Sequence, residues 1–173
     1  MHPSYVDIEN EFSEIEREVT HLSVELASID SLRPAPDTQQ EWSSGSVCAS
    51  AAEKIYTGCE RIMARIASEF DGVPVAHSES WHMAVLRRMA NTYPERRGPI
   101  ISAKCYLVMD KLRAFRHRER NTYGINLDFE IVVERATEAV AGFELFRHEV
   151  RVFFGQGNDD KLEDGPAPGP APR

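Results

Sequence analysis

The chain has 173 residues with 28 Asp and Glu against 20 Lys and Arg, a formal net charge of -8. That length suits one domain able to bury about 70% of the surface its unfolded chain exposes, so neither a disulfide nor a metal is needed to hold it together. The acidic balance argues against wholesale nucleic-acid binding, and no apolar run approaches the roughly 20 residues that span a bilayer. Cys48, Cys59 and Cys105 are odd in number and form no C-x-x-C pair, which reads as reduced core thiols rather than a disulfide framework or zinc ribbon. The N-terminal MHPSYVDIENEF has no apolar signal core, and the expected location is cytoplasmic.

The first predicted helix carries Ile8, Phe12, Ile15, Val19, Leu22, Leu26 and Ile29 at alternating steps of four and three, the seam of a helix packed at a shallow angle. Asp7, Glu9, Glu11, Glu14, Glu16, Glu18 and Glu25 form acidic faces read as a solvated surface that repels RNA. Arg33-Pro34-Ala35-Pro36 ends it, because each proline disfavours helix in its predecessor. A second long helix starts near residues 37–40 and runs to Phe70, with Cys48, Ala52, Ile55, Cys59, Ile62, Ile66 and Phe70 on one stripe. Its small residues from Gly45 to Ala52 would let a neighbouring helix approach and are a candidate subunit contact. Asp71-Gly72-Val73-Pro74 stops it.

Ser78 or Ser80 is expected to cap a short third helix reaching Tyr93, with Trp81, Val85, Leu86 and Met89 inward. Ser102 caps the fourth, with Cys105, Val108, Leu112 and Phe115 toward the core. Gly124 provides its stop, and Asp128 caps a fifth helix whose stripe is Phe129, Val133, Ala136, Val140, Phe143, Val150 and Phe154. Residues 156–173 are rich in Gly, Pro and Asp and read as a disordered tail after a domain spanning 1–155. The expected fold is all-α, an up-and-down bundle of about five helices.

Metal and nucleophile chemistry have weak signals. Glu79-x-x-His82 is a single copy of a motif that di-metal bundles need twice, and His77, His21 and His148 read as surface residues. No cysteine has the basic or helix-start context that lowers a thiol pKa, and neither a nucleophile elbow nor a phosphate loop is present. What remains is Lys111–Tyr123, KLRAFRHRERNTY. Five Lys and Arg stand there against one Glu119, with Arg116 and Arg120 on one face and His117 and Asn121 on the next. The run could grip a phosphate, or it could be a helix end whose cations the dipole favours.

The ordered blocks IYTGCERIMARIASEFDG, SWHMAVLRRMA, RGPIIS and RAFRHRERNTYGINLDFE resemble the HepT-like branch of the HEPN superfamily over Ala51 to Phe146. That branch comprises ribonuclease toxins of toxin–antitoxin pairs. Its motif is an Arg with a polar follower, four intervening positions, a His, one more position and a Tyr. Arg116, His117 and Tyr123 match; Asn121 stands where the His belongs. The resemblance implies an endoribonuclease that needs no metal or other cofactor, with Arg116 holding the scissile phosphate during attack by the ribose 2′-OH. Asn121 cannot move that proton, and its loss would cost roughly 10²–10⁴-fold unless another group serves. His117 is the expected substitute, Asn121 and Tyr123 position the backbone, and Lys111, Arg113, Arg118 and Arg120 bind RNA. The resemblance further implies a homodimer with facing motifs and a minimal nucleotidyltransferase antitoxin that adds AMP to Tyr123. The alternative is a HEPN module that binds RNA or that partner without cutting.

Overall fold

The structure, a computed structural model, describes residues 3–78, 80–121 and 128–155, with the backbone alone for 3–4 and 118–121. Five α-helices make up the fold: α1 Pro3–Ser31, α2 Gln39–Arg65, α3 Trp81–Ala90, α4 Ala103–Asn121 and α5 Phe129–Phe153. A π-helical turn, Ile66–Phe70, extends α2. The described residues hold no strand, only an isolated antiparallel bridge between Tyr93 and Arg97. Nor does any described helix have the length and apolarity to cross a membrane. The expected tail lies outside the described residues, as do Gly124 and Tyr123.

Helix α2 touches each of the other four, and its sequence explains why. Cys48, Ala52, Ile55, Cys59, Ile62 and Ile66 form a buried stripe, while Ala49, Ala51, Tyr56 and Met63 bury the flanks. A helix apolar on so wide an arc must be central. Its start is fixed by Thr38, whose hydroxyl accepts from the Glu41 amide at 3.2 Å.

On one side lies α1, with Ile8, Phe12, Ile15, Val19, Leu22 and Ile29 buried as the period indicates. The two helices meet closely at Gly58, where a Cβ would lie 2.5 Å from Ile15 Cγ1. Gly58→Ala is therefore expected to cost about 1–3 kcal/mol through overpacking, measurable as a lower urea midpoint with an unchanged slope.

The acidic faces of α1 differ from expectation. Five ion pairs among the described residues tie them to α2 and α5: Glu11–Arg61 at 3.0 Å, Asp7–Arg65 at 2.8 Å, Glu18–Lys54 at 3.4 Å, Glu16–Arg147 at 2.7 Å and Glu9–Arg151 at 2.7 Å. Each is worth about 0–1 kcal/mol at an exposed site. Burial acts to raise the Glu9 pKa, but hydrogen bonds from Arg151 and Tyr5 outweigh it and hold the carboxyl low.

The Gly45–Ala52 stretch also serves the interior. Cys48, Ala49, Ala51 and Ala52 are buried and Gly45 faces the Phe129 ring, so only Ser46, Val47 and Ser50 remain exposed for a subunit contact.

Helix α3 is shorter than the sequence suggests. It stops at Ala90, Asn91 turning extended, and Ser80 occupies the N-cap position without a side-chain capping bond. The caps of α4 and α5 follow expectation. Ser102 Oγ accepts from the Cys105 amide at 3.1 Å, and Asp128 Oδ1 from Glu130 at 2.9 Å and Ile131 at 3.4 Å. The core stripe of α5 is rotated from the predicted one, with Val132, Ala136, Ala139, Phe143, Phe146 and Val150 buried while Phe129, Val133, Val140 and Phe154 lie at its edge. Phe143 and Phe146 both set their rings edge-on to Phe12, at 6.1 and 6.3 Å. The π turn and the segment after it then place α3. Asp71, at the end of the turn, takes both Arg97 Nε and Nη2 at 2.7 Å. Trp81 Nε1 donates to the Val75 carbonyl at 3.1 Å, and the Ile100 amide to the Met89 carbonyl at 2.8 Å. These ties hold the start of α3 beside the last turns of α2, where His82 meets Glu60.

Candidate functional site

At that junction α2 presents Glu53, Tyr56 and Glu60, successive steps of three and four along one face. Glu60 is buried, its side chain 5% exposed. A carboxylate at such depth requires partners, and it has two from different helices. Arg116 of α4 donates from Nη1 to Oε2 at 2.7 Å, while His82 of α3 places Nδ1 2.6 Å from Oε1. Arg116 is 11% exposed and His82 45%. The Arg116 guanidinium lies over the Tyr56 ring at 6.0 Å and has Nε 3.8 Å from Glu53 Oε1, beyond hydrogen-bond reach.

The Tyr56 hydroxyl, beside Glu60, and Arg116 Nε are buried polar atoms with no hydrogen-bond partner within reach among the described residues. Burial, reinforced by the Glu60 charge, raises the Tyr56 pKa, so the phenol stays protonated as a donor. Each member of the Glu60–Arg116 pair also opens onto a cavity. Glu60 lines one of about 450 Å³ walled by Arg61, Pro74, Val75, His77, Trp81 and Val85. Arg116 lines one of about 390 Å³ with Ser50, Glu53, Thr57 and Arg61. On the first wall His77 stacks on Trp81, ring centroids 5.1 Å apart.

The basic run of α4 is less bare than its sequence implies. Arg116 is held by Glu60; Lys111 reaches Glu138 of α5 at 2.9 Å, and Arg113 turns back to Asp110 at 2.7 Å. Although burial acts to raise it, hydrogen bonds from Lys111 and Arg135 keep the Glu138 pKa low, so that pair persists to acid pH. His117 is exposed on α4. The backbone of α4 continues through Asn121, but the side chains of Arg118, Arg120 and Asn121 lie outside the described residues, as does all of Tyr123.

Sequence reasoning missed Glu60, Tyr56 and His82. Glu60 could have been suspected, being an acidic residue beside the buried Cys59 on a helix apolar over most of its surface. His82 had been weighed with Glu79 as a metal motif, and its actual partner stands on another helix.

The cysteines are not nucleophiles. All three are buried and free. Burial pushes Cys48 up to about 11 and raises Cys59 and Cys105 further, with Cys105 adding to the rise of Cys59 and Glu149 to that of Cys105, leaving neutral thiols.

A family model described as "HepT-like protein" matches residues 47–156, more than half of the chain. The chain belongs to the HepT-like family. The match begins in α2 and ends just past α5, so Glu60, His82 and Arg116 all fall within the HepT-like region, while α1 precedes it. No curated protein and no solved structure matched the chain.

Proposed function

We propose that this HepT-like protein is an endoribonuclease toxin that cleaves RNA by 2′-OH attack and is neutralised by a cognate nucleotidyltransferase. The observation that carries the reading is Arg116. It is the motif arginine, it is almost buried, it lines a cavity, and its Nε has no hydrogen-bond partner among the described residues. An arginine with one amino group fixed on Glu60 is rotationally locked and offers its remaining N–H groups in a set direction, which suits a phosphodiester. In this reading Lys111, Arg113, Arg118 and Arg120 bind RNA, and Asn121 and Tyr123 position its backbone. A homodimer with facing motifs would double that charge inside an otherwise acidic particle. Tyr123 is the residue to which the partner would attach AMP.

The second reading, a HEPN module that binds RNA or the nucleotidyltransferase without cleavage, is favoured by one observation. Arg116, Lys111 and Arg113 already have carboxylate partners within the chain, which lowers the positive potential available to RNA.

Incubating the purified protein with total RNA in EDTA separates the two. Discrete cutting that is lost in Arg116→Ala and retained in chelator is the expected result. Intact RNA at every protein concentration would overturn the enzyme reading in favour of the module.

A further inference from the structure

We propose that His82 is the group that moves the proton in RNA cleavage, with Glu60 as its positioning residue; the assignment rests on the ribonuclease reading. The motif position that should carry an imidazole holds Asn121, and α3 supplies one from the side. His82 Nδ1 and Arg116 Nη1 bind the two oxygens of the same carboxylate at 2.6 and 2.7 Å. Imidazole and guanidinium are therefore held on one carboxylate although 34 positions separate them in the chain (116 − 82).

The arrangement selects a tautomer. A carboxylate ion-paired to an arginine accepts and does not donate, so the proton of the neutral imidazole lies on Nδ1 and Nε2 keeps its lone pair. That is the form a general base requires, and the carboxylate behind it stabilises the imidazolium formed when the base takes a proton, as in catalytic triads. Glu60 is buried and fixed while the His82 side chain is 45% exposed, so the base is anchored at one nitrogen and accessible beyond it. A second observation concerns the guanidinium bound to the same Glu60. Among the described residues Arg116 Nε is a buried donor with no hydrogen-bond partner, and a phosphodiester oxygen is an acceptor.

His117 fits the role less well. Neighbouring residues on a helix do not face the same way. Arg116 turns inward to Glu60, whereas His117 is exposed on α4.

In the step assigned here, His82 Nε2 removes the proton from the ribose 2′-hydroxyl and the 2′ oxygen bonds to phosphorus. The bond from phosphorus to the 5′ oxygen breaks, and the departing oxygen takes a proton from water. His82 then returns its own proton to solvent, so no net proton or water is consumed. The products are a 2′,3′-cyclic phosphate and a 5′-hydroxyl, and Arg116 balances the charge on the phosphoryl oxygens.

The test uses the full chain and an oligoribonucleotide containing a cut site mapped with the wild type. His82→Ala is expected to cut roughly 10²–10⁴-fold more slowly while still binding the oligonucleotide and remaining folded at the assay temperature. Free imidazole should restore part of the rate, and His117→Ala should stay within a few-fold of wild type. Cutting by His82→Ala at the wild-type rate would overturn the assignment and leave the ribonuclease reading standing. So would a loss that imidazole does not rescue in a protein that still folds and binds. A wild type that cuts no RNA would overturn the ribonuclease reading itself and this assignment with it.

Discussion

Glu60→Ala is expected to destabilise the protein by about 3–5 kcal/mol, because it strands the Arg116 guanidinium in a site only 11% exposed. The loss comes from an uncompensated charge and not from the intrinsic strength of the pair. Removing both charges is a different experiment. Glu60→Met with Arg116→Met should recover most of the stability or exceed that of the wild type, since apolar side chains of similar volume commonly replace buried ion pairs at no cost or with a gain of about 1–4 kcal/mol. Urea denaturation of the wild type, both single variants and the double variant gives the coupling directly. A near-additive double variant would mean that the two side chains are not partnered in solution.

Asp71→Ala should have an effect of the same size, about 3–5 kcal/mol, for a related reason at a different place. Arg97 is 7% exposed and Asp71 2%, and the two make a bidentate pair that joins the end of the π turn to the loop after α3. Arg97 Nη2 also reaches the Arg88 carbonyl at 3.3 Å. Loss of Asp71 leaves a buried guanidinium and frees that loop, so amide exchange in α3 should accelerate more than in α1. Equal acceleration throughout would place the pair's effect on global unfolding instead.

These two pairs also mark the limit of what the sequence makes legible. The α1 seam reads directly from its spacing because from Ile8 to Ile29 polar residues fill the positions between, Val24 and Ala27 excepted, and the caps at Ser102 and Asp128 read from their chemistry. The α5 stripe does not. Ile131, Val132 and Val133 are consecutive and all apolar, so periodicity fits more than one rotation, and only packing against Phe12 selects Val132, Phe143 and Phe146. Ser80 has a capping residue's chemistry, yet its side chain makes no capping bond.

The candidate site divides in the same way. Arg116 stands out through its motif, since the guanidinium and its neighbours are close in the chain. Glu60 lies 56 positions before Arg116 and 22 before His82, and nothing local says that α2, α3 and α4 cross at that depth. Nor could the sequence say that Lys111 and Arg113 have carboxylate partners. A count of charges in a window sees Glu119 but not Glu138 on the facing helix.

The central claim is that the Arg116–Glu60–His82 cluster is a site for RNA cleavage and not only an internal ion pair. The Glu60→Met, Arg116→Met double variant tests it most directly, because it removes the charges without stranding either one. End-mapping of RNA fragments is the measurement. The account predicts fragments with 2′,3′-cyclic phosphate ends from the wild type and none from an equally stable double variant. The same fragments at the same rate from both proteins would contradict it.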